Sequence, residues 1–100
     1  QLEESPTKIR SLIKTNVEKL LLVREKLTEG LSERDIAREL SMEPWRVKKY
    51  TGEARTYTLQ ALRDLFHALL RLEEEIRKGK IKEQLALELL LLGEEKAYFR

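Results

Sequence analysis

Two short helical phrases joined by a tight turn occupy residues 30–54, and this stretch limits the folds open to the chain most strongly. Gly30 ends the preceding helix. Ser32, followed three positions later by Asp35, forms an acidic variant of the capping box that starts a new helix. Pro44 then suits the first position of a second helix. The pattern therefore predicts a helix pair with a short break between its members.

The apolar residues of this pair have the spacing of a helix-turn-helix motif. Small Ala37 lets the second helix cross the first closely, while Val47 and Tyr50 lie on the inner side of the second helix. Ser41 stands at the turn position that usually holds glycine, so it must adopt a left-handed conformation at some cost. Such pairs read DNA in some proteins and are plain core packing in others, and these residues leave both functions open.

Two longer amphipathic helices flank the pair. Apolar residues recur at helical spacing from Ile9 to Leu27 and again from Leu59 to Ile76, with Gly79 ending the second helix. No alternating strand pattern is present in the sequence. The sequence therefore predicts an all-α fold, a single five-helix bundle-like domain that contains the helix-turn-helix-like pair.

The last predicted helix, about residues 82–92, carries leucines almost all round its axis. Such a helix is either fully enclosed or shared with a neighbour. Because it lies at the end of a small domain, enclosure by this chain alone is difficult, and the pattern favours a contact with a partner. Leu22, opposite the apolar stripe of the first long helix, is another apolar residue left for a partner. The predicted subunit-interface residues are Leu22, Leu87, Leu89, Leu90 and Leu91.

Composition and the polar N-terminal segment limit the size, organisation and location that the chain can have. A chain of 100 residues is enough for one domain that buries roughly two-thirds of its unfolded surface. The opening QLEESPTK, which starts with Gln1 rather than methionine, predicts a linker over residues 1–8 from a missing N-terminal region and a domain over residues 9–100. The absence of cysteine suits a reducing compartment, and we expect a cytoplasmic location. No apolar run is long enough to span a membrane, so no membrane partner is expected.

The residue types needed for catalysis are missing or scattered. The sequence has no glycine-rich phosphate loop and no nucleophile with a matching base, and its one histidine, His67, falls on a polar helix flank. The run of glutamates at 73–75 is spread around a helix and is predicted to be solvated. We therefore expect no catalytic residue, no metal, no cofactor and no small-molecule substrate.

Aromatic and cationic side chains alternate over residues 45–50. Because the net charge of the whole chain is only +2, with 38% charged residues, any contact with nucleic acid must be local. Trp45 can stack on unpaired bases, while Arg46 and Lys49 can hold phosphates, and these three are the predicted DNA-contact residues. The alternative is structural, with Tyr50 in the core and Trp45 lying on an arginine stem.

The order of the phrases resembles the C-terminal domain of the delta subunit of bacterial DNA polymerase III. The resemblance covers about residues 9–92. Its most specific parts are LSERDIAREL followed by a proline-aromatic phrase, and the hairpin at 77–81 that leads into LALELLLL. Ser41 departs from the pattern, because many relatives have glycine there.

This resemblance implies a helical collar domain that joins like domains of the other clamp-loader subunits in a ring. It also implies that the helix pair is scaffold and that the chain is a non-catalytic assembly domain, with at most a weak contact with template DNA. The alternative is the helix-turn-helix DNA-binding domain of a transcriptional regulator. A regulator would be a two-fold dimer on palindromic duplex DNA, whereas a collar domain alone would be monomeric.

Overall fold

The computed structural model describes residues 5–93 and contains five helices over that range. The helices in chain order are α1 (Pro6–Thr28), α2 (Glu33–Leu40), α3 (Pro44–Ala54), α4 (Leu59–Arg77) and α5 (Glu83–Leu92). No strand occurs between residues 5 and 93, and the all-α prediction is confirmed. One boundary differs: α1 begins at Pro6, so residues 6–8 belong to a helix rather than to a linker, because proline is well suited to the first helical turn.

Within this all-α fold the chain divides into two compact units. One unit is Asn16–Asp64. The described part of the other comprises residues 5–15 and 65–93. The long helices α1 and α4 each contribute to both units, which a periodicity analysis of either helix alone does not reveal.

In the unit of residues 16–64, the helix pair α2 and α3 surrounds a buried apolar cluster. Its fully enclosed members include Val23, Ile36 and Val47, which come from three different helices. Side chains without exposed surface supply most of the hydrophobic stabilisation, each contributing about 1.5–3 kcal/mol. The cluster therefore fixes the helix-turn-helix-like pair against the C-terminal half of α1. The buried residues of the cluster are Leu20, Val23, Ile36, Ala37, Val47, Ala54 and Leu62.

Both ends of α2 have the geometry that the sequence predicts. The Ser32 Oγ accepts a hydrogen bond of 3.2 Å from the backbone N–H of Asp35, which caps the N-terminus. At the other end Ser41 is left-handed, with φ 54° and ψ 44°. The N–H of Met42 donates to the carbonyl oxygen of Ala37 at 2.9 Å, the bond expected when a left-handed residue ends a helix. The predicted capping and the predicted strained turn are both confirmed.

In the other unit, one side of α5 packs on α4 and on the loop before α5. Leu72, Ile81 and Ala86 form a buried cluster, and Leu89 and Leu90 are partly buried against it. Gly79, with φ 76°, ends the helix before this loop, as the sequence predicts. Arg10 and Lys14 in the N-terminal part of α1 make ion pairs with Glu73 and Glu83 of this unit.

Candidate interaction surfaces

Helix α5 has one packed side and one exposed side, although nearly all its residues are apolar. Leu87 is only 7% exposed, which corrects the prediction that its side chain is left for a subunit contact. Leu89 and Leu90, also predicted at an interface, are partly buried against the cluster formed with Leu72. Gln84 and Glu88 are exposed on the outer side, but the leucines around them conceal this division in the sequence.

The exposed side of α5 carries three leucines. Leu85, Leu91 and Leu92 are 47%, 68% and 71% exposed, respectively. Leu85 and Leu92 are seven positions apart, so they lie one above the other on the same face of the helix. Leu91 was predicted at an interface and lies at the surface; Leu85 and Leu92 were not predicted. Their seven-residue spacing was the only sequence signal that pointed to a shared face.

Leu22 of α1 is 38% exposed and belongs to the unit of residues 16–64. Its outward position agrees with its placement opposite the apolar stripe, and its role at a subunit interface stays a prediction. Leu12 is also exposed, at 58%, although the stripe predicts that it packs inward.

A groove of about 690 Å³ opens between α2 and α3. Ala37, Met42, Pro44 and the indole of Trp45 supply its apolar lining. Trp45 is 66% exposed, so most of its ring surface is available to a ligand. The volume lies within the range of about 300–1,000 Å³ that is usual for small-molecule sites. The complete lining is Glu33, Arg34, Ala37, Arg38, Met42, Pro44, Trp45 and Lys48.

Cationic side chains outnumber carboxylates along the groove. Arg34, Arg38 and Lys48 line it together with a single carboxylate, that of Glu33. The Arg38 Nη1 lies 3.7 Å from Asp35 Oδ1, and the arginine side chain is 73% exposed. An exposed ion pair of this length is weak, contributing about 0–1 kcal/mol, so the guanidinium remains available to an anion. The groove thus combines an apolar floor, an exposed indole and a positive rim.

The three predicted DNA-contact residues are not all at this groove. Trp45 lines it, whereas Arg46 is half-buried and Lys49 is exposed, and neither is among the lining residues. The groove lies on the side of α3 that faces α2, and Lys48 is the cation on that side. Arg34 and Arg38 were not predicted, because they precede Trp45 by 11 and 7 positions and meet it only through the packing of α2 against α3. Their four-residue spacing on α2 was the available signal.

A second charged cluster joins α1 to α4 and α5. Arg10 is only 6% exposed, and its Nε donates to Glu83 Oε2 at 2.5 Å. Its Nη1 donates to Glu73 Oε2 at 3.4 Å, and Lys14 Nζ donates to Glu73 Oε1 at 3.0 Å. Glu73 is therefore paired with two cations, which corrects the prediction of a solvated glutamate. A three-residue glutamate run gives no sign that one member meets a helix 59–63 positions away.

Hydrogen bonding controls the ionisation of this cluster. The bond from Lys14, assisted by Arg10, lowers the pKa of the Glu73 carboxyl against the smaller opposing effect of burial. The bond to Glu83 raises the pKa of Arg10. Both shifts favour the charged forms, so the cluster stabilises the fold as a set of ion pairs. It has none of the opposed pKa shifts that separate a general acid from a general base.

Neither a metal site nor a membrane span is found in the part of the chain that the structure describes. No group of three or more histidine, cysteine, aspartate or glutamate side chains within residues 5–93 is arranged to hold a metal ion. None of the five helices between these limits is long and apolar enough to cross a membrane.

Known proteins resemble this chain over nearly its whole length. The family model of the DNA polymerase III delta subunit, C-terminal domain, matches residues 1–93. The DNA polymerase III subunit delta of Bacillus subtilis (strain 168) is 34% identical over 89 residues, which are 89% of this chain and 26% of that protein. The solved Bacillus subtilis DNA clamp loader delta protein superimposes with a TM-score of 0.83 at 33% identity, covering 94% of this chain and 28% of that one.

The chain thus spans about a quarter of the length of these relatives. The matched range of the family model includes all five helices, and with them the helix pair, the groove and the exposed side of α5. The chain therefore belongs to the family of C-terminal domains of the DNA polymerase III delta subunit.

Proposed function

We propose that this chain is a non-catalytic assembly domain of the clamp loader, where it joins the helical collar by contacts with other clamp-loader subunits. Family membership is the observation that carries the proposal. The exposed leucines of α5 support it, because large apolar side chains left outside the core are available for a protein contact. The helix-turn-helix pair is scaffold in this proposal, since its inner residues form the core of the unit at 16–64.

The outer side of α5 is the best candidate for the subunit contact. Leu91 and Leu92 each leave about 70% of their surface exposed. Full burial of a leucine contributes about 1.5–3 kcal/mol, so a partner that covers both side chains gains several kcal/mol before association costs are subtracted. Leu85 would extend this surface on α5, and Leu22 is a separate candidate contact on the unit of residues 16–64. Leu87 is assigned to the core of the chain instead.

Assembly can be tested by pull-down of the other clamp-loader subunits with the His-tagged chain. Leu91→Ser with Leu92→Ser should reduce recovery of the partners at least tenfold while the melting temperature stays near that of the wild type. The control is Leu70→Ser with Leu12→Ser, which removes two exposed leucines from α4 and α1. Wild-type recovery of the partners by the α5 variant would contradict the proposed surface, and no recovery by the wild-type chain would contradict the assembly function.

The alternative of a transcriptional regulator has no support from the family match, which covers the helix pair itself. A regulator would form a two-fold dimer and bind palindromic duplex DNA tightly. We expect sedimentation equilibrium to give a monomer for the isolated chain. A stable dimer that prefers duplex DNA over single strands would favour the regulator.

We propose in addition that the Trp45 surface makes a weak contact with single-stranded template DNA. The exposed indole supports this contact, because stacking of one base on an aromatic side chain contributes about 1–3 kcal/mol without regard to sequence. Arg46 and Lys49 were the cations predicted to accompany it. Quenching of the fluorescence of Trp45, the one tryptophan of the chain, by single-stranded but not by duplex oligonucleotides is the expected result; equal quenching by both would contradict it.

A further inference from the structure

We propose that single-stranded DNA binds in the groove between α2 and α3. There an unpaired base stacks on Trp45, while Arg34, Arg38 and Lys48 bind the adjoining phosphates. The inference rests on the proposed contact with single-stranded DNA. The inference adds the location of the site, and it assigns phosphate binding to Arg34, Arg38 and Lys48 instead of Arg46 and Lys49. It also assigns a ligand-binding role to α2, which otherwise serves the core.

The shape of the groove fits a planar ligand. Trp45 and Pro44 lie at the start of α3, and Ala37 and Met42 complete an apolar floor between the two helices. Ala37 is small and 9% exposed, so no long side chain projects into the groove from that position. The exposed indole gives a flat base a surface for stacking at this groove.

The charge of the groove fits a polyanion. Arg34 and Arg38 are four positions apart on α2, so their guanidinium groups lie on one face of that helix. Lys48 is on α3, three positions after Trp45, and reaches the same groove. Three cations against the carboxylate of Glu33 give the rim an excess of positive charge in a chain of net charge +2. Neighbouring phosphates of a single strand are the matching anions.

Arg46 and Lys49 give an internal comparison. Both are within four positions of Trp45 along the chain, yet neither side chain lines the groove. The pair Arg38 and Lys48 and the pair Arg46 and Lys49 each comprise one arginine and one lysine. Neutralising either pair changes the net charge by the same amount, so a difference between the two variants reports position rather than charge.

An acidic peptide is the other kind of ligand that an apolar floor with a cationic rim can bind. The exposed indole favours a nucleic acid, because 66% exposure leaves a ring face for stacking, and every base has a planar face. A peptide offers a stacking face only where it carries an aromatic side chain, and an acidic segment without one gains nothing from the exposed ring face. Binding of an acidic peptide is therefore measured as the competing outcome in the experiment below.

The experiment measures the anisotropy of a fluorescein-labelled dT12 oligonucleotide with the wild-type chain and three variants at several salt concentrations. Arg38→Gln with Lys48→Gln should lower the slope of log K against log salt by about 1.4, since each single-strand phosphate contact accounts for about 0.7. Arg46→Gln with Lys49→Gln should lower it by less than half as much. Trp45→Ala should weaken binding about 5- to 150-fold, the equivalent of one lost stacking contact. Circular dichroism checks that each variant remains helical.

The outcomes separate the inference from the contact on which it rests. If Trp45→Ala binds dT12 as tightly as the wild type, the contact with single-stranded DNA is itself overturned. If Trp45→Ala binds weakly but the Arg46 and Lys49 variant loses more of the slope, DNA contact stands and the groove assignment is overturned. If an alternating Asp-Leu peptide quenches Trp45 and dT12 does not, the groove is a peptide site and the inference is wrong.

Discussion

Arg10 and Glu83 are 73 positions apart in the sequence and form an ion pair with 2.5 Å between Nε and Oε2. The arginine side chain is 7% exposed and the glutamate side chain 20% exposed. The pair links the first turns of α1 to the start of α5, the helix whose outer side we propose as the subunit contact. Thr7 Oγ1 also donates to Glu83 Oε1, at 3.0 Å. The N-terminal part of the described chain therefore stabilises the position of its last helix.

Replacing Arg10 with methionine should destabilise the chain. The change keeps most of the aliphatic volume but leaves Glu83 and Glu73 without their shared cation. Because both glutamates keep some contact with water, we expect a loss of about 1–3 kcal/mol, the cost of an unsatisfied polar group, rather than that of a fully buried charge. Urea denaturation gives this value. The exposed Arg55 is the matched control, and Arg55→Met should change stability by less than about 0.5 kcal/mol.

Glu73 should make the unfolding free energy depend on pH in the acid range. Its pKa in the folded chain is lowered from the ordinary 4.5, chiefly by the hydrogen bond from Lys14. The contribution is therefore fully present at pH values above 4.5, and it is lost as the pH falls from there through the lowered pKa of the folded state. Glu73→Gln should remove this part of the acid sensitivity.

Urea melts between pH 6 and pH 3 provide the measurement. Lys14→Met should flatten the same part of the pH profile as Glu73→Gln, because it removes the hydrogen bond that lowers the pKa of Glu73. A variant that keeps the wild-type slope throughout this range would show that the pairing of Glu73 with Lys14 contributes nothing to acid sensitivity.

Substitutions of Leu87 and Leu91 should differ in their effect on the unfolding free energy. Leu87 is 7% exposed and Leu91 68% exposed on the same helix. Leu87→Ala should lower the unfolding free energy by about 2–5 kcal/mol, because it leaves a cavity in the core. Leu91→Ala should change it by less than about 0.5 kcal/mol. Thermal melts of the two variants check the difference, and equal destabilisation would contradict the division of α5 into two sides.

The two serines at the ends of α2 should respond oppositely to substitution. Ser41 is left-handed, with φ 54°, and Ser41→Gly should stabilise the chain by about 1 kcal/mol because glycine adopts this conformation without steric strain. Ser32 caps the N-terminus through its hydroxyl, and Ser32→Ala should destabilise the chain by about 1 kcal/mol. Denaturation midpoints measured side by side give the two signs. A destabilised Ser41→Gly variant would show that the serine side chain contributes more than its backbone strain costs.

Local signals in the sequence were sufficient for the secondary structure. Ser32, Pro44 and Gly79 mark helix ends by chemistry that acts over a few residues, and each lies where the structure ends or begins a helix. The spacing of the helix pair likewise identified Val47 as a core residue. These features are predictable because their causes are hydrogen bonds and burial within one or two helical turns.

Contacts between distant segments were not predictable in the same way. The pairing of Arg10 is an example, because nothing near it in the sequence indicates that Glu73 and Glu83 meet it. Leu87 was assigned to an interface because a helix with leucines on every side gives no phase to its apolar pattern. The groove was found only in part, since Trp45 is visible in the sequence but its pairing with Arg34 and Arg38 depends on how α2 lies against α3.

The proposed subunit contact would place the two sides of α5 against surfaces encoded by different genes. Ala86 and Leu87 must match the interior of their own chain, and they can change together with it in any organism. Leu85, Leu91 and Leu92, if they meet a partner as proposed, must match a surface encoded by another gene. Exchange of this domain between distant bacteria should then preserve folding but impair assembly. Replacing the residues at positions 85, 91 and 92 with those of the host protein should restore assembly.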